Sequence, residues 1–222
     1  VTTHDLKKDG TPTTDDRFLV GTAEPSLLAY YSDMELTEDI LPLKLCGFSP
    51  CYRSEIGSYG KDTRGIYRVH EFMKIEQVII TRHDIAESER AQEEMIGHTR
   101  ALYEELALPF REIQMCTGDL GAGKYRQIDT EIWMPSREGY GEVGSASNFL
   151  DWQSRRLKIR YKDRAGKKQF VYMLNNTVLA SARLLIAILE NYQQADGSVK
   201  IPEVLQPFMQ GKTAITQKNP RL

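Results

Sequence analysis

The sequence predicts an α+β fold, an antiparallel β-sheet flanked by helices. Strand-like runs outnumber helix-like runs along the chain, and helices do not alternate with strands as a doubly wound parallel sheet requires. Two such runs, 158–162 and 169–174, flank Gly166 within Arg164-Ala-Gly-Lys167 and read as a hairpin. A length of 222 residues with 41% hydrophobic content supports a real core in one large domain or two small ones.

Taken in order, residues 1–17 are polar, with Lys8-Asp9-Gly10 as a turn signal and Pro12 among threonines, and read as a loop or loose hairpin. Phe18, Leu19 and Val20 form a short strand. Residues 24–32 form a short helix with Leu27, Leu28 and Tyr31 on one side. Residues 42–53 are a strand in which Pro50 marks an edge or a bulge. Gly57, Gly60 and Gly65 sit amid charges in 54–65, the pattern of a mobile loop. A long strand spans 66–80. Residues 84–106 are the clearest amphipathic helix, capped by Asp84 and stopped by Pro109. Further strands are expected at 112–116, 125–134 and 141–147, followed by the hairpin. A last helix covers 176–193 and ends at Asp196-Gly197, with Pro202 and Pro207 in the tail. The expected organisation is a polar segment 1–17, one domain 18–209 and a tail 210–222.

A net charge of −2 gives no global pull toward nucleic acid or an anionic surface. No apolar stretch approaches the ~18 residues of a membrane span. Cys46, Cys51 and Cys116 are too few and too odd for a disulfide framework, which fits a reducing compartment, and they read as small buried hydrophobes. His4, His70, His83 and His98 show no metal spacing, and His83 and His98 are expected at the surface.

The chemistry is signalled by arginines in apolar surroundings. Within 178–189 the only polar residues are Ser181 and Arg183, so this helix is expected to be mostly buried. Arg53 ends a strand-like run. Arginines forced inward need anionic partners, and two readings stand: structural salt bridges, or a pocket for a polyanion such as a nucleoside triphosphate. On the long strand a two-residue period puts Arg68, His70, Phe72, Lys74 and Glu76 on one side and Val69, Met73 and Ile75 on the other. Cys51, Arg53 and Glu55 share that phase. If the two strands pair across 54–65, Arg53, Arg68, Phe72 and Glu76 meet on one sheet face.

Cys51-Tyr-Arg53-Ser-Glu55, the glycine-rich loop to Gly65 and Arg68-Val-His-Glu-Phe72 resemble motif 2 of class II aminoacyl-tRNA synthetases. Leu174-Asn-Asn-Thr177, Ala180-Ser-Ala-Arg183 and Ile188-Leu-Glu-Asn-Tyr192 resemble their motif 3. Thr22-Ala-Glu24 is similar to the serine-binding signature of seryl-tRNA synthetases, and Phe149-Leu-Asp-Trp-Gln153-Ser-Arg-Arg156 and Asp196-Gly-Ser-Val-Lys-Ile-Pro202 also look like that family. The match covers nearly everything from Phe18 to Met209, and several motifs in the right order make it specific.

The resemblance implies a class II catalytic core that makes seryl-adenylate from L-serine and ATP and charges tRNA(Ser), a cytoplasmic reaction with Mg²⁺. Thr22, Ala23, Glu24, Glu76 and Thr177 would form the serine pocket, with Asn175 and Lys74 as further candidates. Arg53 would hold the substrate carboxylate and α-phosphate. Glu55 would meet the adenine amino group, Phe72 would stack on the ring, and Ser54 and Val69 would line the site. Arg68 and Arg183 would grip the outer phosphates. Glu142 and Ser145 would hold magnesium, with Val143 and Gly144 beside the nucleotide. The substrate carboxylate is already ionised near neutral pH, so no enzyme base is needed.

Two family parts find no match. No heptad run resembles the tRNA-binding arm, and residues 1–17 do not resemble motif 1, which builds the dimer. The chain therefore reads as a catalytic-domain fragment of a protein expected to be a homodimer. Arg155, Arg156, Lys158, Arg160, Lys162, Arg164, Lys167 and Lys168 face only Asp163; they read as the wet face of a half-buried hairpin in preference to a tRNA contact. Competing functions are an amino acid ligase that charges a carrier protein and an inactive paralogue.

Overall fold

The computed structural model describes residues 2–3, 17–55 and 65–216. Its elements are β1 (Thr2–Thr3), β2 (Arg17–Phe18), α1 (Glu24–Ala29), β3 (Glu35–Thr37), β4 (Leu43–Tyr52), β5 (Glu71–Thr81), α2 (Ile85–Glu105), β6 (Phe110–Gln114), β7 (Arg126–Met134), β8 (Gly139–Asn148), α3 (Trp152–Leu157), β9 (Arg160–Lys162), β10 (Lys168–Phe170), β11 (Tyr172–Ala180), α4 (Ser181–Tyr192), β12 (Val199–Lys200) and β13 (Ala214–Ile215). Six strands form the main sheet in the order β4-β5-β11-β8-β7-β6. Every neighbouring pair in it is antiparallel. The α+β class expected from the sequence is therefore the observed one.

The two sheet faces are covered differently because side chains alternate along each strand. On one face α2 packs across the middle. Ile79 and Leu174 meet Ala91 and Met95, and Ile128 and Ala146 meet Ile96. Asp84 caps this helix by accepting from Glu87 N at 2.7 Å. Buried amides then tie it to the strands. Asn176 Nδ2 donates to Met95 O at 3.0 Å, Thr99 Oγ1 at 2.9 Å and Gln77 Oε1 at 3.1 Å. Gln92 Nε2 donates to Ala146 O at 3.1 Å.

On that same face Leu184 and Ala187 of α4 join Ile132, Met134, Val143 and Tyr103 of α2. The opposite face carries a cluster joining Leu28 of α1 to Val78, Ile80, Met173, Ile159 and Tyr161. Beyond that cluster the face turns polar, and the cleft forms there.

Several boundaries differ from the sequence expectation. The long strand begins at Glu71, not Ile66; Arg68, Val69 and His70 lie in a turn entered at Gly65, whose φ is +68°. The last helix begins at Ser181, and Asn175, Asn176 and Thr177 lie on β11. The apolar residues 178–180 fit either period, and pairing with β5 on one flank decides the matter. That helix is not mostly buried: only Leu184 and Ala187 are, and Leu185 is 47% exposed. Helix α3 at Trp152–Leu157 was not expected; Lys158, at φ 55°, ends it, and the strand expected from 158 begins at Arg160.

Other expectations stand. β9 and β10 form the hairpin around Gly166, and Pro50 lies on β4, an edge strand. His83 and His98 are exposed. Most of 1–17 and of the 54–65 loop lies outside the described residues, although β1 pairs antiparallel with β2. Cys51 is buried, but Cys46 and Cys116 are exposed, against the expectation of three buried thiols. Cys46 faces outward from the edge strand, where alternation puts every second side chain in solvent. No helix among the described residues is long and apolar enough to cross a membrane.

Replacing Asn176 with Ala removes three bonds and strands Thr99 Oγ1 in the core. The expected loss is about 2–3 kcal/mol, read as a lower urea midpoint with an unchanged slope.

Candidate active site

The cleft is floored by the sheet face opposite α2. Along β11 that face runs Met173, Asn175, Thr177. Along β5, in matching register, it runs Ile80, Val78, Glu76. The apolar end joins the core and the polar end opens into the cleft. Ser145 and Ser147 of β8 continue the strip. The cleft has a volume of about 250 Å³.

Two β-bulges give the floor its shape. Thr177 pairs with Glu76 but Leu179 pairs with Ile75, so Val178 is an extra residue. Thr130 pairs with Gly144 but Glu131 pairs with Glu142, so Val143 is an extra residue. A bulge reverses the side-chain phase beyond it. That is why Glu142 and Ser145, an odd number of residues apart, both reach the cleft, as do Thr177 and Ala180. A Cβ on Gly144 would lie 2.5 Å from Thr177 O, so only glycine permits this approach.

At one end sits a compact polar network. Asn175 Nδ2 donates to Glu24 Oε2 at 2.9 Å and to Glu76 Oε1 at 2.8 Å, linking two carboxylates through one amide. Thr177 Oγ1 donates to Glu76 Oε2 at 3.0 Å, and Lys74 Nζ lies 2.6 Å from the same oxygen. The Glu76 and Lys74 side chains are 0% and 6% exposed. Gln153 Nε2 of α3 donates to Glu24 Oε1 at 2.6 Å. Burial, the largest influence, pushes the Glu24 carboxyl above its usual range; the Gln153 bond opposes it, nearby Glu76 adds to it, and Lys74 and Lys124 oppose it. Thr22 Oγ1, Asn175 Oδ1 and Ser145 Oγ are buried polar atoms with no partner among the described residues.

The other end is cationic and aromatic. The Arg53 guanidinium lies 5.3 Å from the Phe72 ring centre. Arg53 N donates to His70 O at 2.9 Å, which extends the β4–β5 pairing just beyond both strands. Arg68 Nη1 and Glu55 Oε2 are 2.6 Å apart. Arg183 Nη1 donates to Glu142 O at 2.8 Å and lies 3.4 Å from Glu142 Oε2.

Of the residues picked out from the sequence, Thr22, Glu24, Arg53, Glu55, Arg68, Val69, Phe72, Lys74, Glu142, Val143, Gly144, Ser145, Asn175, Thr177 and Arg183 line this one cleft. Glu76 lies just beneath its surface. Two do not line it. Ala23 is buried under β4, where a Cβ on Gly47 would fall 2.8 Å from its own Cβ, and Ser54 is exposed. The turn at 65–70 changes how Arg68 arrives, since it comes from the rim and not from the strand face.

Tyr67, Lys124, Phe149 and Gln153 also belong to the cleft or its network and had been given no role. Gln153 lies in a quoted motif, so its signal was present. Lys124 comes from a glycine-rich loop seated on the Trp152 indole at Gly123 and carries no pattern.

Glu142 and Ser145 suit a hard cation. Both offer oxygen, and the Ser145 hydroxyl is buried without a partner among the described residues. No group of three or more His, Cys, Asp or Glu side chains among those residues could hold a metal unaided. The residues therefore fit Mg²⁺ only with phosphate or water oxygens completing its shell. Four of the eight members of the basic cluster near α3 and β9 have carboxylate partners: Arg155 meets Asp151, Lys158 meets Asp33, Arg164 meets Asp39 and Lys168 meets Glu35. This is the wet face expected from the sequence, and it has more acidic partners than Asp163 alone.

A family model described as the tRNA synthetase class II core domain (G, H, P, S and T) matches residues 8–192. A serine--tRNA ligase of Treponema denticola is 50% identical over 192 residues, 86% of this chain and 45% of that protein. The one from Delftia acidovorans is 47% identical over 210 residues, 94% of this chain and 48% of that protein. Seryl-tRNA synthetase from Pyrococcus horikoshii complexed with ATP superposes with a TM-score of 0.88 at 42% identity, covering 94% of this chain and 46% of its own. The cytoplasmic serine-tRNA ligase of Naegleria fowleri in complex with AMP gives 0.87 at 40% identity, covering 94% and 49%. The chain spans about half the length of these relatives.

The raised Glu24 carboxyl has a measurable consequence. Because the folded form holds its proton to higher pH, the stability tied to that proton is full below the ordinary value of 4.5 and is lost as pH rises through the folded value. Urea midpoints of wild type minus Glu24→Gln should therefore fall across that window. A flat difference would place Glu24 in contact with water.

Proposed function

The chain belongs to the class II tRNA synthetase core family, and from that premise we propose that it activates L-serine with ATP and transfers the seryl group to tRNA(Ser). One observation carries the reading most: Arg53, Arg68 and Arg183, from three separate segments, meet in one cleft beside a buried two-carboxylate pocket.

The first step joins two anions. A carboxylate oxygen of serine attacks the α-phosphorus, the new C–O–P link forms, and the α–β bridging P–O bond breaks as pyrophosphate leaves. No proton is removed, so the work is alignment and charge neutralisation. Arg53 would hold the carboxylate and α-phosphate, and Phe72 beside it offers a face for the adenine. Arg68 and Arg183 take the outer phosphates, exchanging their present carboxylate neighbours for stronger anions. Glu142 and Ser145 would hold Mg²⁺, which supplies charge neutralisation on the phosphates.

The opposite end suits the amino acid. Glu24 and Glu76 attract an ammonium group, and Thr22, Asn175 and Thr177 offer groups to a hydroxyl. A pocket whose buried acceptors and donors expect a hydroxyl rejects alanine by leaving them unpaired. Threonine is excluded more weakly, by its methyl group. The homologous enzymes' names are the support for tRNA(Ser) as acceptor. A homodimer and a cytoplasmic site of action complete the proposal.

The test is exchange of labelled pyrophosphate into ATP by this chain, with serine, alanine, glycine and threonine in parallel. Exchange with serine alone is expected; preference for alanine or glycine points to a carrier-protein ligase, and none at all, also from the full-length dimeric protein, to an inactive paralogue. Arg183→Ala should lower exchange ~10²- to 10³-fold, the scale of losing one transition-state donor, with an unchanged far-UV spectrum. If the variant unfolds and its folded fraction exchanges normally, Arg183 is structural.

A further inference from the structure

We infer that Tyr67 is a positioning residue that holds the Arg183 guanidinium in the attitude needed for the outer phosphates of a nucleoside triphosphate. The inference rests on the proposed role of Arg183 and adds a residue that acts through it.

Four contacts build the case. The Arg183 Cζ lies 4.5 Å from the centre of the Tyr67 ring. Arg183 Nε donates to Tyr67 O at 3.4 Å, a long bond. The Tyr67 hydroxyl donates to Glu142 O at 3.2 Å. Arg183 Nη1 donates to that same carbonyl at 2.8 Å. Tyr67 thus meets Arg183 with its ring and backbone and fixes the carbonyl that Arg183 also uses.

The ring itself is held. A Cβ on Gly141 would come within 3.2 Å of Tyr67 Cε2, so the missing side chain provides the slot. The Arg137 guanidinium lies 4.5 Å from the same ring centre. A flexible arginine loses rotamer freedom when it grips an anion. An aromatic ring that orders it beforehand lowers that loss, so the effect should appear in affinity for the part of the ligand that Arg183 meets.

The experiment compares ATP and AMP binding by calorimetry in wild type, Tyr67→Phe, Tyr67→Leu, Arg183→Ala and the Tyr67→Leu/Arg183→Ala double variant. Tyr67→Leu should weaken ATP about tenfold and leave AMP unchanged. Tyr67→Phe, which keeps the ring and the backbone, should stay within about threefold of wild type. On the Arg183→Ala background the Leu change should add almost nothing.

Equal loss of ATP and AMP would make Tyr67 merely structural and overturn the inference. So would a tenfold loss that persists without Arg183, or a Leu variant that binds ATP as wild type does. A wild-type chain that binds neither nucleotide overturns both this inference and the nucleotide reading. A wild type that binds ATP but shows no serine-dependent exchange sinks the proposed function alone.

Discussion

The arrangement around Asn175 is the constraint on which the cleft depends. One side-chain amide bridges Glu24 from α1 and Glu76 from β5, and Lys74 and Thr177 meet Glu76 from the other side. Carboxylates this deep are costly unless each oxygen has a donor. Here every Glu24 and Glu76 oxygen has one. Removing a partner from such a buried set costs about 3–5 kcal/mol, because it leaves a charge uncompensated. The network therefore joins the apolar contacts of Leu28 in fixing α1 against the sheet. It also leaves the excess of carboxylate over lysine facing the cleft, which is what makes this end attractive to a cation.

The backbone had to be deformed to expose these groups. A regular antiparallel sheet would have sent Glu142 and Ser145 to opposite faces. The extra residues Val143 and Val178 change the phase on β8 and β11. Gly144 then lets the two strands come close enough that its missing Cβ would overlap Thr177 O. Regular pairing between β8 and β11 covers only Leu174 to Asn176. The cleft opens where that ladder stops, so the loss of sheet regularity and the gain of a polar floor are one event.

Much of this was legible beforehand. Alternation along residues 72–76 correctly placed Phe72, Lys74 and Glu76 on one face, and the arginines in apolar or strand-end settings led to the cleft from both sides. Asp84 and Pro109 bounded α2 well because a cap and a stop are local. What could not be read were features set by neighbours. The bulges depend on the partner strand's register, and a period-two pattern does not show an inserted residue. Residues 178–180 are apolar enough for helix or strand, and only pairing with β5 decides. Tyr67 and Lys124 reach the cleft from turns, where no periodicity exists to give a direction.

The arginines themselves show why a count of buried cations is a coarse guide. Each was expected to be either a structural ion pair or a phosphate ligand, as though the two excluded one another. Arg68 pairs with Glu55 and Arg183 leans on Glu142, while among the described residues Arg53 has aromatic and not carboxylate company. The pairs are only half-buried: side-chain exposure is 29% and 14% in one, 17% and 48% in the other. Pairs that solvent still reaches are worth little, about 0–1 kcal/mol. A triphosphate bringing several negative charges can displace such a partner at small cost, whereas it cannot displace Glu76 from Lys74, whose side chains are almost wholly enclosed. Burial thus sorts the cations of one cleft into those that hold the fold and those free to exchange partners.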